Sequence, residues 1–279
     1  MNKNTDKGSR STRQEQLAHG CRLIVIADSV FYLHRPRTIQ RIAAEAFGLT
    51  EPPADIRYDL LAVPDLISQT ERDAAIGLLA ADVASAIGLH GTESLLGIGE
   101  NGSPDRLVEA VAAHPTLQGR LLRTAACAVS RPALTPWSRQ AVIGCMDWRL
   151  HGRGDLSSRA RFAFGHGRAA TDTVTVPGVA KGLKTDGPRF ETVMGWLEAL
   201  HRRGLRRLYL VGHEDCGGYG GHQAFAGLDE ENRILTDDLR LVAWRIWRHR
   251  PELQISLGIA ELSDDNAVSR IRHISLRKR

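Results

Sequence analysis

Cysteine is scarce in this chain, with only Cys21, Cys127, Cys145 and Cys216 among 279 residues. The apolar stretch at 23–33 is interrupted by Asp28 and follows a long polar lead, so it lacks the shape of a secretory signal. Four thiols without an export signal read as free groups or metal ligands, not as a disulfide framework, and the expected location is the cytoplasm. Long apolar runs are missing as well. None approaches the roughly 18 residues of a membrane-spanning helix, so no membrane partner is expected. Aromatic residues make up only 5% of the chain. None interleaves with the basic clusters at the ends, Lys3, Lys7, Arg10 and Arg13 at the start and Arg270, Arg272, Arg277, Lys278 and Arg279 at the finish. Base stacking has nothing to work with there, so no nucleic-acid partner is expected and both ends read as solvated tails. The remainder, 42% hydrophobic and 25% charged with a net charge of +5, is the composition of a globular protein with a real core.

What the chain does contain is an alternation of strands and helices. Residues 140–144 form a short apolar run that ends at Cys145. Residues 171–176 alternate β-branched and polar side chains and stop at Pro177-Gly178, a strand entering a turn. Phe190, Val193, Met194, Leu197 and Leu200 lie on one helical stripe that ends near Gly204. A strand at 208–211, a helix at 236–249 and a strand at 255–259 follow, with Trp244 and Trp247 expected in the core. This order predicts an α/β fold with a parallel sheet, whose sites lie beyond the strand carboxyl ends.

The first half repeats the second. Residues 25–34 line up with 142–151 at an offset of 117, and residues 58–64 with 171–177 at an offset of 113. Ile76, Ala80, Val83 and Ile87 mark a helix between them. Gly91 then pairs with Gly204, and residues 95–99 pair with 208–212, again at 113. The expected organisation is a tandem duplication: a polar tail at 1–19, a degenerate repeat at 20–130, a linker at 131–139, a second repeat at 140–265 and a basic tail at 266–279.

Cys145, His213 and Cys216 stand out within that second repeat. Two soft thiolates and an imidazole suit Zn2+, and three protein ligands leave a fourth position for water or substrate, which reads as a catalytic site. In the first repeat, Asp28 and Glu100 stand where Cys145 and His213 are, and Ser103 where Cys216 is, so no zinc site is expected there. Val30 and Tyr32 likewise replace Asp147 and Arg149. His151, His166, His201, His222 and His249 follow no ligand spacing and read as surface or helix residues, His222 lying closest to the metal loop. Gly217-Gly218 and Gly220-Gly221 permit a tight turn there but do not form a dinucleotide-binding pattern. An H-x-x-C segment is not a C-x-x-C redox site.

Cys145-x-Asp147-x-Arg149 followed by His213-x-x-Cys216 resembles the zinc site of the β-class carbonic anhydrases. The resemblance implies a zinc lyase that hydrates carbon dioxide to bicarbonate through a zinc-bound hydroxide. It also implies that Asp147 orients the hydroxide while Arg149 holds Asp147 off the metal, and that Trp148, Gly178 and Gly217 border the substrate pocket. Since enzymes of this family pair their subunits, a fused duplication implies an intramolecular pseudo-dimer with one zinc site, able to assemble further as a homo-oligomer. The sequence also departs from the family pattern. Trp148 replaces a small residue, and Val176-Pro177-Gly178-Val179 replaces an Asn-Ala-Gly turn. Hydrolysis of carbon disulfide or carbonyl sulfide, and a non-catalytic zinc sensor or scaffold, are the alternatives.

Overall fold

A computed structural model describes residues 22–27, 36–48, 57–62, 69–90, 94–99, 103–120, 123–128, 139–151, 156–165, 171–263 and 267–276. The strands are β1 (Arg22–Ala27), β2 (Arg57–Ala62), β3 (Ser94–Gly99), β4 (Arg123–Ala128), β5 (Gln140–Gly144), β6 (Thr171–Thr175), β7 (Arg207–His213), β8 (Gln254–Leu262) and β9 (Val268–Ile274). The helices are α1 (Pro36–Phe47), α2 (Gln69–His90), α3 (Ser103–Ala112), α4 (Trp148–His151), α5 (Leu156–Ala163), α6 (Ala180–Leu183), α7 (Pro188–Arg202) and α8 (Leu228–His249). Two sheets result, ordered β2-β1-β3-β4 and β6-β5-β7-β8-β9. Every strand pair is parallel except β8 with β9.

The two sheets also agree in register. Leu23 of β1 lies opposite Tyr58 and Ser94, and Gln140 of β5 lies opposite Thr171 and Arg207. Offsets of 117 for the first residue and 113 for the other two carry one trio onto the other, the same offsets that align the two halves in sequence.

Burial explains why these segments become strands. Ala141, Val142 and Ile143 are fully enclosed, as expected of parallel strands covered on both faces. In β1 the alternation of the pleat sends Ile24 and Ile26 to one core and Leu23, Val25 and Ala27 to another. The first of these cores spans both halves of the chain. It joins Ile24, Ile26 and Leu61 to Leu79, Ala80 and Val83 of α2, and these to Val142, Val174, Leu197 and Leu210 of the second sheet. Helix α2 is apolar on several sides because it is packed on several sides, α7 of the second half among them. Outer strands β2 and β6 lie beside each other.

Asp82 of α2 is buried where the halves meet and forms an ion pair with Arg189 of α7. Burial pushes its carboxyl up from 3.8 to about 6, with Arg189 opposing only in part. A folded-state value above the unfolded one means that the folded protein binds this proton more tightly. Its stabilising contribution is therefore complete below about pH 4 and lost as pH rises through about 6. Two pKa units correspond to about 3 kcal/mol. Denaturant titrations should show the stability of wild type, relative to Asp82→Asn, falling by roughly that amount between pH 4 and 7. A flat difference would rule out the raised carboxyl.

Two expectations are corrected. The 266–279 segment is not wholly a solvated tail, because β9 adds to the sheet as an antiparallel edge strand. Val268, Ile271 and Ile274 are buried, while Arg270 and Arg272 pair with Glu261 on β8. That pairing lets a basic segment lie along a sheet edge. Trp244 and Trp247 are about half exposed, at 52% and 51%. The inward stripe of α8 is Leu235, Leu239, Val242, Ala243 and Ile246, and the tryptophans fall off it; Arg248 lies over the Trp244 ring. The first-half positions Asp28, Val30, Tyr32 and Glu100, the 1–19 tail, residues 131–138 of the linker and His166 lie outside the described residues. Ser103 opens α3. Among the described residues, no helix is long and apolar enough to cross a membrane.

Candidate metal centre

Strands β5 and β7 are hydrogen-bonded neighbours, with Gly144 opposite Val211. Their carboxyl ends therefore emerge side by side. Cys145 is the first residue after β5, His213 is the last of β7, and Cys216 follows three residues on. All three are buried, and their ligand atoms lie within 4.8 Å of one another. These residues can hold a metal ion. A tetrahedral zinc with Zn–S bonds of about 2.3 Å sets its two sulfurs about 3.8 Å apart; Cys145 Sγ and Cys216 Sγ are 3.8 Å apart. His213 donates from Nδ1 to the Glu214 carbonyl at 2.8 Å. Its Nε2, buried and without a hydrogen-bond partner, is left to serve as the ligand atom.

The thiols are electrostatically unequal. Hydrogen bonding to Cys216, together with burial, pushes the Cys145 thiol well above its ordinary value. The same contact, reinforced by the Gly218 and Tyr219 backbone N–H groups, lowers Cys216. Cys216 is thus the more acidic of the two thiols. Burial would lower the proton affinity of His213, but Cys145 and Asp147 outweigh it and raise it. A cation entering the cluster would displace protons from these groups. The Gly178 N–H reaches Cys145 Sγ at 3.4 Å. Gly178 has φ +65, and Gly218 approaches it so closely that a Cβ on Gly218 would lie 2.7 Å from its backbone. The glycines thereby let two loops meet over the sulfurs.

Asp147 and Arg149 form a fork. Arg149 Nε donates to both carboxylate oxygens at 3.0 and 3.1 Å, and Nη2 to Oδ2 at 2.7 Å. The Arg149 backbone N–H adds a bond of 3.0 Å to Oδ1. Burial alone would raise the Asp147 carboxyl, but His213 and Arg149 outweigh it and hold it at about 2. Asp147 Oδ2 is 3.8 Å from His213 Nε2, adjacent to the cluster yet tied to the arginine.

Of the expected pocket residues, Gly178 bonds to a ligand sulfur, Trp148 opens α4 and is partly exposed, and Gly217 is exposed at the start of a 3-10 turn. His151, expected at the surface or on a helix, closes α4 but is buried, and its Nε2 lies 2.6 Å from the Cys145 carbonyl. The first half also contacts this segment: Tyr58 donates its hydroxyl proton to the His151 carbonyl at 3.0 Å, and the Leu60 N–H donates to the Met146 carbonyl at 3.0 Å. His222 touches the neighbourhood of the site through Glu231 and Asp215, and His201 and His249 lie on helices away from it.

Asp215 and Glu231 were missed by sequence reasoning. Asp215 stands inside the His213–Cys216 segment, but its acceptance from Arg149, 66 residues away, is a fact of the fold. Glu231 looks like any acidic residue in a first helical turn, beside Asp229 and Glu230, yet it alone of the three is buried.

The centre is a buried two-cysteine, one-histidine group that could hold a metal ion, with an aspartate held beside it by an arginine. No model of a known protein family matches this chain, and no curated protein matches it.

Proposed function

We propose that the chain is a zinc-dependent lyase of β-class carbonic anhydrase type, hydrating carbon dioxide to bicarbonate. The observation that carries this reading is the Asp147–Arg149 fork beside a three-residue ligand set. A structural zinc needs a closed set of four ligands and no oriented carboxylate. Zinc, when bound, would supply water acidic enough to attack a small electrophilic carbon near neutral pH. Asp147, ionised, would accept a hydrogen bond from that nucleophile and aim it. Arg149 fixes the carboxylate's direction and offsets its charge. Cys145, His213 and Cys216 would hold the ion, and Gly178 and the loop at Gly217-Gly218 would close over the sulfurs.

The reading extends to the whole chain. The matched strand order and register support a tandem duplication in which 20–130 serves as the inert partner of 140–265, an internal pseudo-dimer with one metal centre. Contacts from Tyr58 and Leu60 to the segment after Cys145 support a supporting role for the inert half.

Stopped-flow carbon dioxide hydration tests the activity. Zinc-loaded wild type is expected to hydrate carbon dioxide, and Asp147→Asn to retain zinc while losing roughly 10²-fold or more in kcat, the scale for a group that positions a proton in the transition state. Zinc-loaded wild type without hydration would overturn this substrate and direct the search to carbonyl sulfide, carbon disulfide or a non-catalytic role.

A further inference from the structure

Arg149 does more than grip Asp147. Its Nη1 donates to Asp215 Oδ2 and its Nη2 to the Asp215 carbonyl, each at 2.7 Å. The side chain therefore joins the segment that carries Cys145 to the segment that carries His213 and Cys216. Asp215 is itself held from several directions. It has a left-handed backbone, φ 53, a conformation that aspartate tolerates better than most non-glycine residues. Its N–H donates to Glu231 Oε1 at 2.7 Å, and its Oδ1 accepts from the His222 N–H at 3.0 Å. Glu231 is fully buried, with its other oxygen 2.5 Å from His222 Nδ1. A buried carboxylate spent on one backbone amide and one imidazole is a costly arrangement unless it holds something in place.

We infer that Asp215, locked by Glu231 from α8, is the positioning residue that sets where Arg149 stands and so keeps Asp147 beside the metal ligands without joining them. The inference rests on the proposed metal-centre reading. The fork fixes Asp147 only relative to Arg149. Without the Asp215 carboxylate, Arg149 keeps only its bond to the backbone carbonyl, the pair can shift as a unit, and Asp147 Oδ2, already 3.8 Å from His213 Nε2, is the oxygen that would reach a bound cation. Asp215 is not one of the three clustered ligand residues, so its effect on Asp147 passes through Arg149.

The full-length protein loaded with cobalt(II), whose visible absorption reports its ligands, tests this directly. Asp215→Gly is the informative variant, because glycine accepts φ 53 without strain and removes only the carboxylate. It is expected to bind cobalt with undiminished stoichiometry but with an altered spectrum, and Glu231→Ala to alter the spectrum in the same sense. In the Asp147→Asn background, Asp215→Gly should change nothing further. With zinc, hydration by Asp215→Gly should fall about tenfold in kcat with little change in KM, the usual scale for groups that orient a metal site from behind. A wild-type spectrum and rate in Asp215→Gly would overturn the inference. So would a spectral change that persists when Asp147 is already asparagine, or loss of the metal itself. If wild type binds cobalt yet hydrates no carbon dioxide, the spectra still decide the role of Asp215 while the activity reading alone fails.

Discussion

Cys216→Ser is expected to purify without zinc, where wild type carries one equivalent, and to lose hydration with it. A serine hydroxyl does not ionise near neutral pH and is a hard ligand, so the exchange removes the thiolate that the site is built to stabilise. The Gly218 and Tyr219 N–H groups, which lower the Cys216 thiol, would then face a neutral oxygen. Loss of an orienting group around a metal costs 10–100-fold in affinity, and loss of a ligand should cost on the order of 10² or more. The effect extends to stability. A metal present at about a thousand times its dissociation constant stabilises the folded state by about 4 kcal/mol, worth roughly 10 °C in melting temperature for a chain of this size. Elemental analysis and thermal melts with and without added zinc check both parts. Melting of wild type should rise with zinc and fall with a chelator, while the variant should ignore both. A Cys216→Ser protein that keeps a full equivalent would refute the ligand assignment.

Expressed alone, residues 135–279 are expected to be insoluble or to lack zinc and activity, and to recover when 20–130 is co-expressed. The reason is the core shared between the halves. Leu79 and Val83 of α2 pack in the same cluster as Val174 and Leu197 of the second half. Each large aliphatic side chain uncovered forfeits about 1.5–3 kcal/mol, and a whole domain is stable by only about 5–15 kcal/mol. A handful of such losses exceeds the total. The metal segment would suffer directly as well. Tyr58 and Leu60 hold the His151 and Met146 carbonyls, and His151 Nε2 contacts the Cys145 carbonyl. Solubility, zinc content and hydration rate of the fragment decide the matter. A soluble 135–279 fragment with a full equivalent of zinc and wild-type activity would show that the first half is not required.

The centre of the site was legible in the sequence because each of its two segments directly follows a strand of a parallel alternation. Cys145 follows an apolar run, His213 closes another, and Cys216 comes three residues later, so the strand pattern alone puts their backbones at one edge. The Asp147–Arg149 fork was legible because its members are two residues apart. Elements whose residues looked wrong for their place were harder. Arg270 and Arg272 disguised β9 as a tail because Glu261, which pairs with both, sits on another strand. Trp244 and Trp247 looked like core because large aromatics usually are, but α8 has smaller side chains on the face it buries.

By itself, then, the sequence determined the α/β alternation, the offsets of 117 and 113 that the two sheets share in register, and the grouping of Cys145, His213 and Cys216 that could hold a metal ion. Periodicity and short spacing are written in the chain. Tertiary structure alone decided that Asp215 and Glu231 stand behind Arg149, that His151 is buried, and that Tyr58 and Leu60 brace the segment after Cys145. Those contacts join residues up to 93 positions apart. Which distant groups meet depends on how helices and loops pack over each sheet and, for Tyr58 and Leu60, on how the two halves dock, which the shape of the core settles and no local pattern does.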